Sequence, residues 1–181
     1  MKICIFIFVV LLISCKSQGS SFLDNFTAHD KINSDFRYEK QISQQDLAIL
    51  MATNEANEAV LTMEHKYYYG YKKKLNDNHY LISFASTYRP TYRFTNVLSF
   101  WQDVFICIYD KSENKVISKL RIKSADPIFS SYTEENGVYT ITSRYITYEC
   151  GDADCTKLKS KSNTVVQRYK LSDNKFQQIK D

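Results

Sequence analysis

Residues 67–88 read YYYGYKKKLNDNHYLISFASTY, and this stretch does most to decide the fold. Aromatic, apolar or small residues recur at every second position on both sides of a polar centre: Tyr67, Tyr69 and Tyr71 before it, and Tyr80, Ile82, Phe84, Ser86 and Tyr88 after it. A spacing of two is typical of a β-strand with one buried face. The polar centre, residues 75–79, is rich in turn-forming Asn and Asp. The stretch therefore predicts a β-hairpin.

More strands are predicted downstream of this hairpin. Val104–Tyr109 is apolar at successive positions, which is typical of a central strand buried on both faces. Polar turns separate it from further strand-like segments, which are 116–122, 138–150, 165–171 and 176–179. The chain thus predicts about seven antiparallel strands joined by short turns.

One helix is predicted before the first hairpin. Ser43 is a good N-cap, and Asp46 follows three residues later. Good helix formers dominate from there to about His65, and apolar residues recur on one helical stripe. The fold class predicted is α+β, with one N-terminal amphipathic helix packed on a curved antiparallel sheet of about seven strands. A small β-barrel with a helix is the alternative.

The composition excludes several classes of protein. The 181 residues are 44% hydrophobic and 24% charged, with 4 Gly and 2 Pro, which is too apolar for a disordered chain. The net charge of +4 is too small for a strongly basic nucleic-acid binder. We therefore expect one folded domain and no nucleic-acid partner.

The first fifteen residues have the pattern of an export signal. Lys2 precedes an apolar run from Ile3 to Ile13, which is well short of the roughly 20 residues that a spanning helix needs. Leu12-Ile13-Ser14-Cys15 resembles the lipobox of bacterial lipoproteins. This resemblance covers residues 1–15 only, and no family is recognised for the rest of the chain.

The lipoprotein resemblance implies a location and a domain plan. Residues 1–14 would be a signal peptide that is removed, and Cys15 would carry the lipids that anchor the chain to a membrane. No Asp follows Cys15, so the outer membrane, facing the periplasm, is the expected site in the bacterial cell envelope. Residues 15–36 are then expected to be the lipidated Cys15 and a polar tether, and 37–181 a single α+β domain.

The remaining cysteines suggest a disulfide. An envelope location is compatible with disulfide formation, and Cys107, Cys150 and Cys155 remain once Cys4 and Cys15 are assigned. Cys150 and Cys155 are spaced for a short closed loop, with Cys107 then a buried free thiol. Pairing of Cys107 with Cys150 is the alternative.

No catalytic or metal-binding motif is visible in the chain. The three His residues are far apart in sequence, and no nucleophile or phosphate-loop motif occurs. Glu149 lies beside the Cys150–Cys155 segment, but the carboxylates there lack the regular spacing of a calcium loop. We therefore expect no cofactor, no metal and no enzyme activity. A hydrolase using scattered carboxylates such as Asp103 and Glu149 is the least supported reading.

Tyrosine is the compositional anomaly, with 14 residues. Five residues in two aromatic and cationic stretches are candidate anchors for a protein partner: Tyr68, Tyr71, Arg89, Tyr92 and Arg93. Tyr and Arg are common at the energetic centres of interfaces. A half-exposed sheet also explains alternating Tyr and Lys, and a glycan-binding surface is a further alternative.

The sequence thus predicts a lipid-anchored, non-catalytic cell-envelope binding protein with a protein partner. Its most concrete form is an immunity-type inhibitor of a periplasmic toxin or hydrolase. The alternative is a structural or accessory envelope lipoprotein that binds a protein complex or cell-wall glycan.

Overall fold

A computed structural model describes residues 21–32, 39–51, 65–88, 101–124, 128–151 and 158–180. The elements of this part of the chain are a 3-10 turn Phe22–Asn25, β1 Thr27–Ala28, α1 Gln44–Leu50, β2 Lys66–Lys74, β3 His79–Tyr88, β4 Trp101–Asp110, β5 Lys115–Lys123, β6 Ile128–Glu135, β7 Val138–Cys150, β8 Leu158–Ser172 and β9 Lys175–Ile179. The strands form two sheets, with orders β1-β2-β3-β4-β5 and β6-β7-β8-β9. β1 is parallel to β2, and the other pairs are antiparallel.

The predicted α+β class is wrong, because the described residues are mostly β and form two sheets instead of one. The barrel alternative is also wrong, since the two sheets are separate and open among these residues. The physical reason lies in β3 and β4, which are buried on both faces. One helix can cover only one of those faces, so a second layer is required.

The helix begins where the sequence predicts and is shorter than predicted. The Ser43 side chain accepts a hydrogen bond from the Asp46 N–H at 3.1 Å, as expected of an N-cap. α1 ends at Leu50 with Met51 as its C-cap. The predicted continuation through 52–64 lies outside the described residues.

One face of the first sheet packs against the N-terminal segment and α1. The side chains in this first core cluster are Phe22, Leu23, Phe26, Ile42, Leu50, Tyr67, Tyr69, Ile82, Phe84, Phe105, Cys107, Tyr109 and Val116. Phe26 lies edge-on to Tyr69 with ring centroids 5.0 Å apart, and Phe22 lies 4.8 Å from Tyr109. Aromatic contacts of this kind join the N-terminal segment firmly to the sheet.

The opposite face of the first sheet packs against the second sheet. The second core cluster contains Ile32, Leu81, Ala85, Val104, Ile106, Ile108, Leu120, Ile122, Tyr139 and Ile141. Tyr139 and Ile141 come from β7, and partly buried side chains of β6, β8 and β9 pack around them. The first sheet is thus the middle of three layers.

Residues 21–32 belong to the fold, although the sequence places them in a polar tether. Phe22, Leu23, Phe26 and Ile32 are all buried. β1 also extends the first sheet by pairing with β2, with Thr27 opposite Tyr71. Any tether after Cys15 is therefore confined to the residues before Phe22.

The predicted hairpins are confirmed. β2–β3, β4–β5 and β8–β9 pair as expected, and Val104–Tyr109 lies in the centre of the first sheet. At Asn136 and Gly137 the φ angles are 52° and 74°, and at Asp173 and Asn174 they are 51° and 58°. Two consecutive residues of positive φ are what a tight hairpin turn of the primed type requires.

Candidate functional site

Tyr68 and Tyr71 lie on the same face of β2 and are half-buried. Tyr68 is opposite Ala85, whose side chain lies in the second core cluster, and Tyr71 packs against that same cluster. Residues three apart normally point to opposite faces of a strand, but a β-bulge between Tyr69 and Lys72 changes the register. The bulge is not predictable from the alternation of side chains.

The other predicted partner-binding residues, Arg89, Tyr92 and Arg93, lie outside the described residues. The structure therefore brings two of the five predicted anchors together and leaves the set untested. Tyr71 also contacts the His29 ring, with centroids 5.4 Å apart, so part of its surface is committed to the fold. The role of these five residues in binding stays a prediction.

A two-stranded extension of the second sheet is a candidate surface that the sequence did not indicate. β6 pairs with β7 only as far as Tyr145, and β9 pairs with β8 only from Arg168 onward. β7 and β8 nevertheless continue to pair with each other out to Cys150 and Leu158. We call residues 146–150 and 158–167 the β-ribbon. Its outer part, 146–150 with 158–162, is two-stranded, and residues 163–167 form the open edge of the sheet where β6 lies on the other side of β7.

The β-ribbon is accessible on its β8 side. Every residue from 159 to 166 is exposed, although successive side chains of a strand point to opposite faces. Val165 and Val166 are 41% and 52% exposed, and they are the large apolar side chains that the described part of the chain exposes. β8 carries four cations and no carboxylate along its length: Lys159, Lys161, Arg168 and Lys170. Within the β-ribbon itself the cations are Lys159 and Lys161, and Glu149 lies opposite Lys159. The β-ribbon is therefore only weakly basic and carries an apolar spot at Val165 and Val166.

A polar row, formed by His65, Tyr67, Ser86 and Asp103, crosses the first sheet on the face that carries the first core cluster. Tyr67 lies opposite Ser86, and Ser86 lies opposite Asp103, so the three side chains share one face. The His65 Nδ1 atom lies 3.2 Å from the Ser86 hydroxyl. The His65 ring stacks on Tyr88 with centroids 4.4 Å apart and planes 7° apart.

Asp103 is the most unusual member of this polar row. It is 1% exposed, and its burial raises the pKa of the carboxyl, although a hydrogen bond to Ser124 and the nearby Arg121 and His65 side chains act in the opposite direction. The Oδ1 atom has no hydrogen-bond partner among the described residues. The same holds for the Tyr67 hydroxyl, whose pKa is raised by burial and by the charge of Asp103.

Serine, histidine and aspartate are the residue types of a hydrolytic triad, but here they do not present a nucleophile. Ser86 is only 1% exposed, so no substrate atom can reach its hydroxyl in this structure. Sequence reasoning interpreted His65 as a helix-end residue and Asp103 as one of several scattered carboxylates, and only the register of three strands brings them together.

The structure decides one of the two cysteine alternatives. Cys107 lies in the first core cluster and is not disulfide-bonded, so its pairing with Cys150 is wrong. Cys150 itself is disulfide-bonded. Cys155 lies outside the described residues, so its pairing with Cys150 stays a prediction.

The described ranges contain no group of three or more His, Cys, Asp or Glu residues placed to hold a metal ion. Within the same ranges, no helix is both long and apolar enough to cross a membrane.

Comparison with known proteins gives no match, whether to family models, to curated proteins or to solved structures.

Proposed function

We propose that this chain is a lipid-anchored, non-catalytic binding protein of the bacterial cell envelope, and that its partner is another protein. The anchor is inferred from Leu12-Ile13-Ser14-Cys15, the lipobox-like motif. Its most concrete form is an immunity-type inhibitor that occludes a toxin or hydrolase reaching the periplasm. The surface feature that supports this proposal is the exposed β-ribbon of the second sheet.

The β-ribbon supports binding because of what it exposes. Residues 158–167 of β8 form an open sheet edge, since β9 pairs with β8 only from Arg168 onward, and such an edge offers unpaired backbone groups to a partner. Val165 and Val166 expose apolar surface next to cations, a combination that suits a partner with an apolar spot and acidic surroundings. Occlusion of a hydrolase needs such a projecting surface and no chemistry of its own.

Lipid anchoring is tested first. The natural chain should fractionate with membranes, and mass spectrometry should find the diacylated Cys15 at its N-terminus. Cys15→Ser should release the protein to the soluble envelope fraction, because its anchor is lost. A Cys15→Ser variant that stays with the membranes would contradict the lipoprotein assignment.

Partner capture tests the binding function. A tagged, unlipidated chain starting at residue 15 with Cys15→Ser is incubated with envelope and secreted fractions of its own and competing strains. A single stoichiometric toxin or hydrolase, whose activity falls on capture, is the expected result. A set of resident envelope proteins or glycan would instead support the accessory lipoprotein. Capture of neither would remove the inhibitor proposal under those conditions.

Two variants locate the binding surface. Val165→Thr with Val166→Thr removes the exposed apolar spot while keeping good β-formers, and Tyr92→Ala with Arg93→Ala tests the sequence-predicted anchors. We expect the β-ribbon variant to weaken capture at least tenfold with an unchanged melting temperature. Thr133→Ala, at an exposed position on β6, is the control. Full capture by the β-ribbon variant would exclude the β-ribbon as the interface.

A further inference from the structure

A small polar cavity lies where the end of β5 meets the second sheet. Its volume is about 50 Å³. Arg121, Lys123 and Ser124 line it from the β5 side. The side chains that line it from the second sheet are Ser130, Ile141, Ser143, Tyr145 and Gln167. The cavity thus combines two cations with several hydroxyl groups in a space that accepts one small group.

The hydroxyls are held in place by the fold. Ser124 and Ser143 are buried, so their positions are fixed by the surrounding strands. The Ser124 N–H donates to the Ser130 Oγ atom at 2.7 Å, which leaves the Ser130 O–H to donate elsewhere. The Ser124 hydroxyl donates to Asp103, so the hydroxyls left to donate into the cavity are those of Ser130 and Ser143. Hydroxyl and cationic donors that line one cavity are the chemistry that binds an oxyanion.

The side chains of Arg121 and Lys123 have hydrogen-bond donors that no described residue accepts. Arg121 and Lys123 are half-buried, yet neither forms an ion pair or a hydrogen bond with any residue in the described part of the chain. Guanidinium and ammonium groups are donors only, and removing them from water without an acceptor is costly. Asp103 interacts electrostatically with Arg121. With one carboxylate and two cations, the net charge of the region is still positive.

We infer that this cavity binds a single phosphate-like oxyanion group through Arg121, Lys123 and the hydroxyls of Ser130 and Ser143. The volume of about 50 Å³ exceeds the roughly 10–15 Å³ that a cavity needs on this measure to admit one water molecule, so one small polyatomic group fits. The group is either a free anion or the phosphate of a lipid headgroup, since both present the same oxygens. This inference does not depend on the proposed protein partner.

Thermal unfolding of the Cys15→Ser chain with inorganic phosphate tests the site, with sodium chloride at equal ionic strength as the reference. At a phosphate concentration ten times the Kd, the melting temperature should rise by about 3–6 °C. Lys123→Gln and Arg121→Gln should each abolish most of this shift. Lys175→Gln, an exposed lysine of β9, should keep the shift and is the matched control.

A second readout separates binding from a structural role of the cations. Without phosphate, Lys123→Gln should melt no lower than the natural chain, because it removes a half-buried charge that has no acceptor.

Sedimentation with vesicles of phosphatidylcholine, with or without phosphatidylglycerol, then identifies whether the bound oxyanion is a free anion or a lipid headgroup. Binding to the phosphatidylglycerol vesicles that is lost in Lys123→Gln assigns the site to a lipid headgroup, and a phosphate response without it assigns a free anion. A shift equal to that in chloride, or retained by both cavity variants, would overturn the inference.

Discussion

Ser86 and Asp103 lie directly opposite each other on β3 and β4, and each is 1% exposed. Burying a carboxylate in this way lowers the free energy of unfolding. Its charged form has lost water, while one of its oxygens has gained no partner among the described residues. The first prediction follows from this relationship.

Asp103→Asn should stabilise the protein at neutral pH by about 1–3 kcal/mol, which is the usual cost of an unsatisfied buried polar group. Burial raises the pKa of Asp103, so the folded state keeps its proton to a higher pH than the unfolded state, where the carboxyl titrates near 4. Folding therefore takes up a proton between these two pKa values, and the stability of the natural chain falls as pH rises through that interval. The advantage of Asp103→Asn should grow over the same interval.

Urea unfolding from pH 4 to pH 7 measures this difference. Asp77→Asn is the control, because Asp77 is exposed and its hydrogen bond to Lys74 lowers the pKa of its carboxyl. That substitution should change stability slightly and in the opposite direction. A natural chain more stable than Asp103→Asn at pH 7 would mean that the Asp103 charge has a favourable partner.

Phe26→Ala should destabilise the protein by about 3–5 kcal/mol, the range for removing a large buried aromatic side chain. Phe26 is 4% exposed and contacts the rings of Phe22 and Tyr69. Lys31→Ala, an exposed position in the same segment, should have little effect. Chemical unfolding measures both. A cost below about 1 kcal/mol for Phe26→Ala would show that the N-terminal segment is not part of the cooperative core.

Gly137→Ala should cost about 1 kcal/mol through its backbone conformation. Gly137 has a φ of 74°, and an added Cβ would meet no atom within 4 Å, so packing makes no contribution. Asn136→Gly, at the preceding positive φ, should change stability by less than about 0.5 kcal/mol because glycine accepts that φ. Equal stability of Gly137→Ala and the natural chain in thermal unfolding would contradict the assigned turn.

Thiol labelling tests the cysteine assignments. Cys107 should react with iodoacetamide only after unfolding, since it is buried and is not disulfide-bonded. Cys150 and Cys155 should react only after reduction if they form the predicted disulfide. Closing so short a loop is worth about 2 kcal/mol, so Cys155→Ser should lower stability by that amount. Labelling of Cys155 in the folded, unreduced chain would contradict this pairing.

Local features were the most predictable part of the fold. The hairpin around residues 75–79, the central strand Val104–Tyr109 and the Ser43 N-cap depend on neighbouring residues, and all three are confirmed. The second sheet was not predicted. Residues 159–164 are polar and show no apolar alternation, so their β-structure comes from pairing with β7 and not from a buried face.

The candidate sites depend on contacts that are remote in sequence. Arg121 and Gln167 meet at one cavity only because β5 faces the second sheet, and no spacing rule indicates this. The polar row likewise needs the exact register of three strands. Arg89, Tyr92 and Arg93 were chosen for residue type alone, and they lie outside the described residues.

The docking of Phe22 onto the first sheet limits how far the domain can move from its anchor. If Cys15 carries the lipids, six residues, 16–21, separate it from Phe22. A fully extended chain of that length spans only about 20 Å. The distance between the domain and the bilayer would then be limited by this short linker. A soluble toxin or hydrolase would have to reach the membrane surface to be bound. Inserting a longer linker would increase the distance from the membrane at which binding can occur.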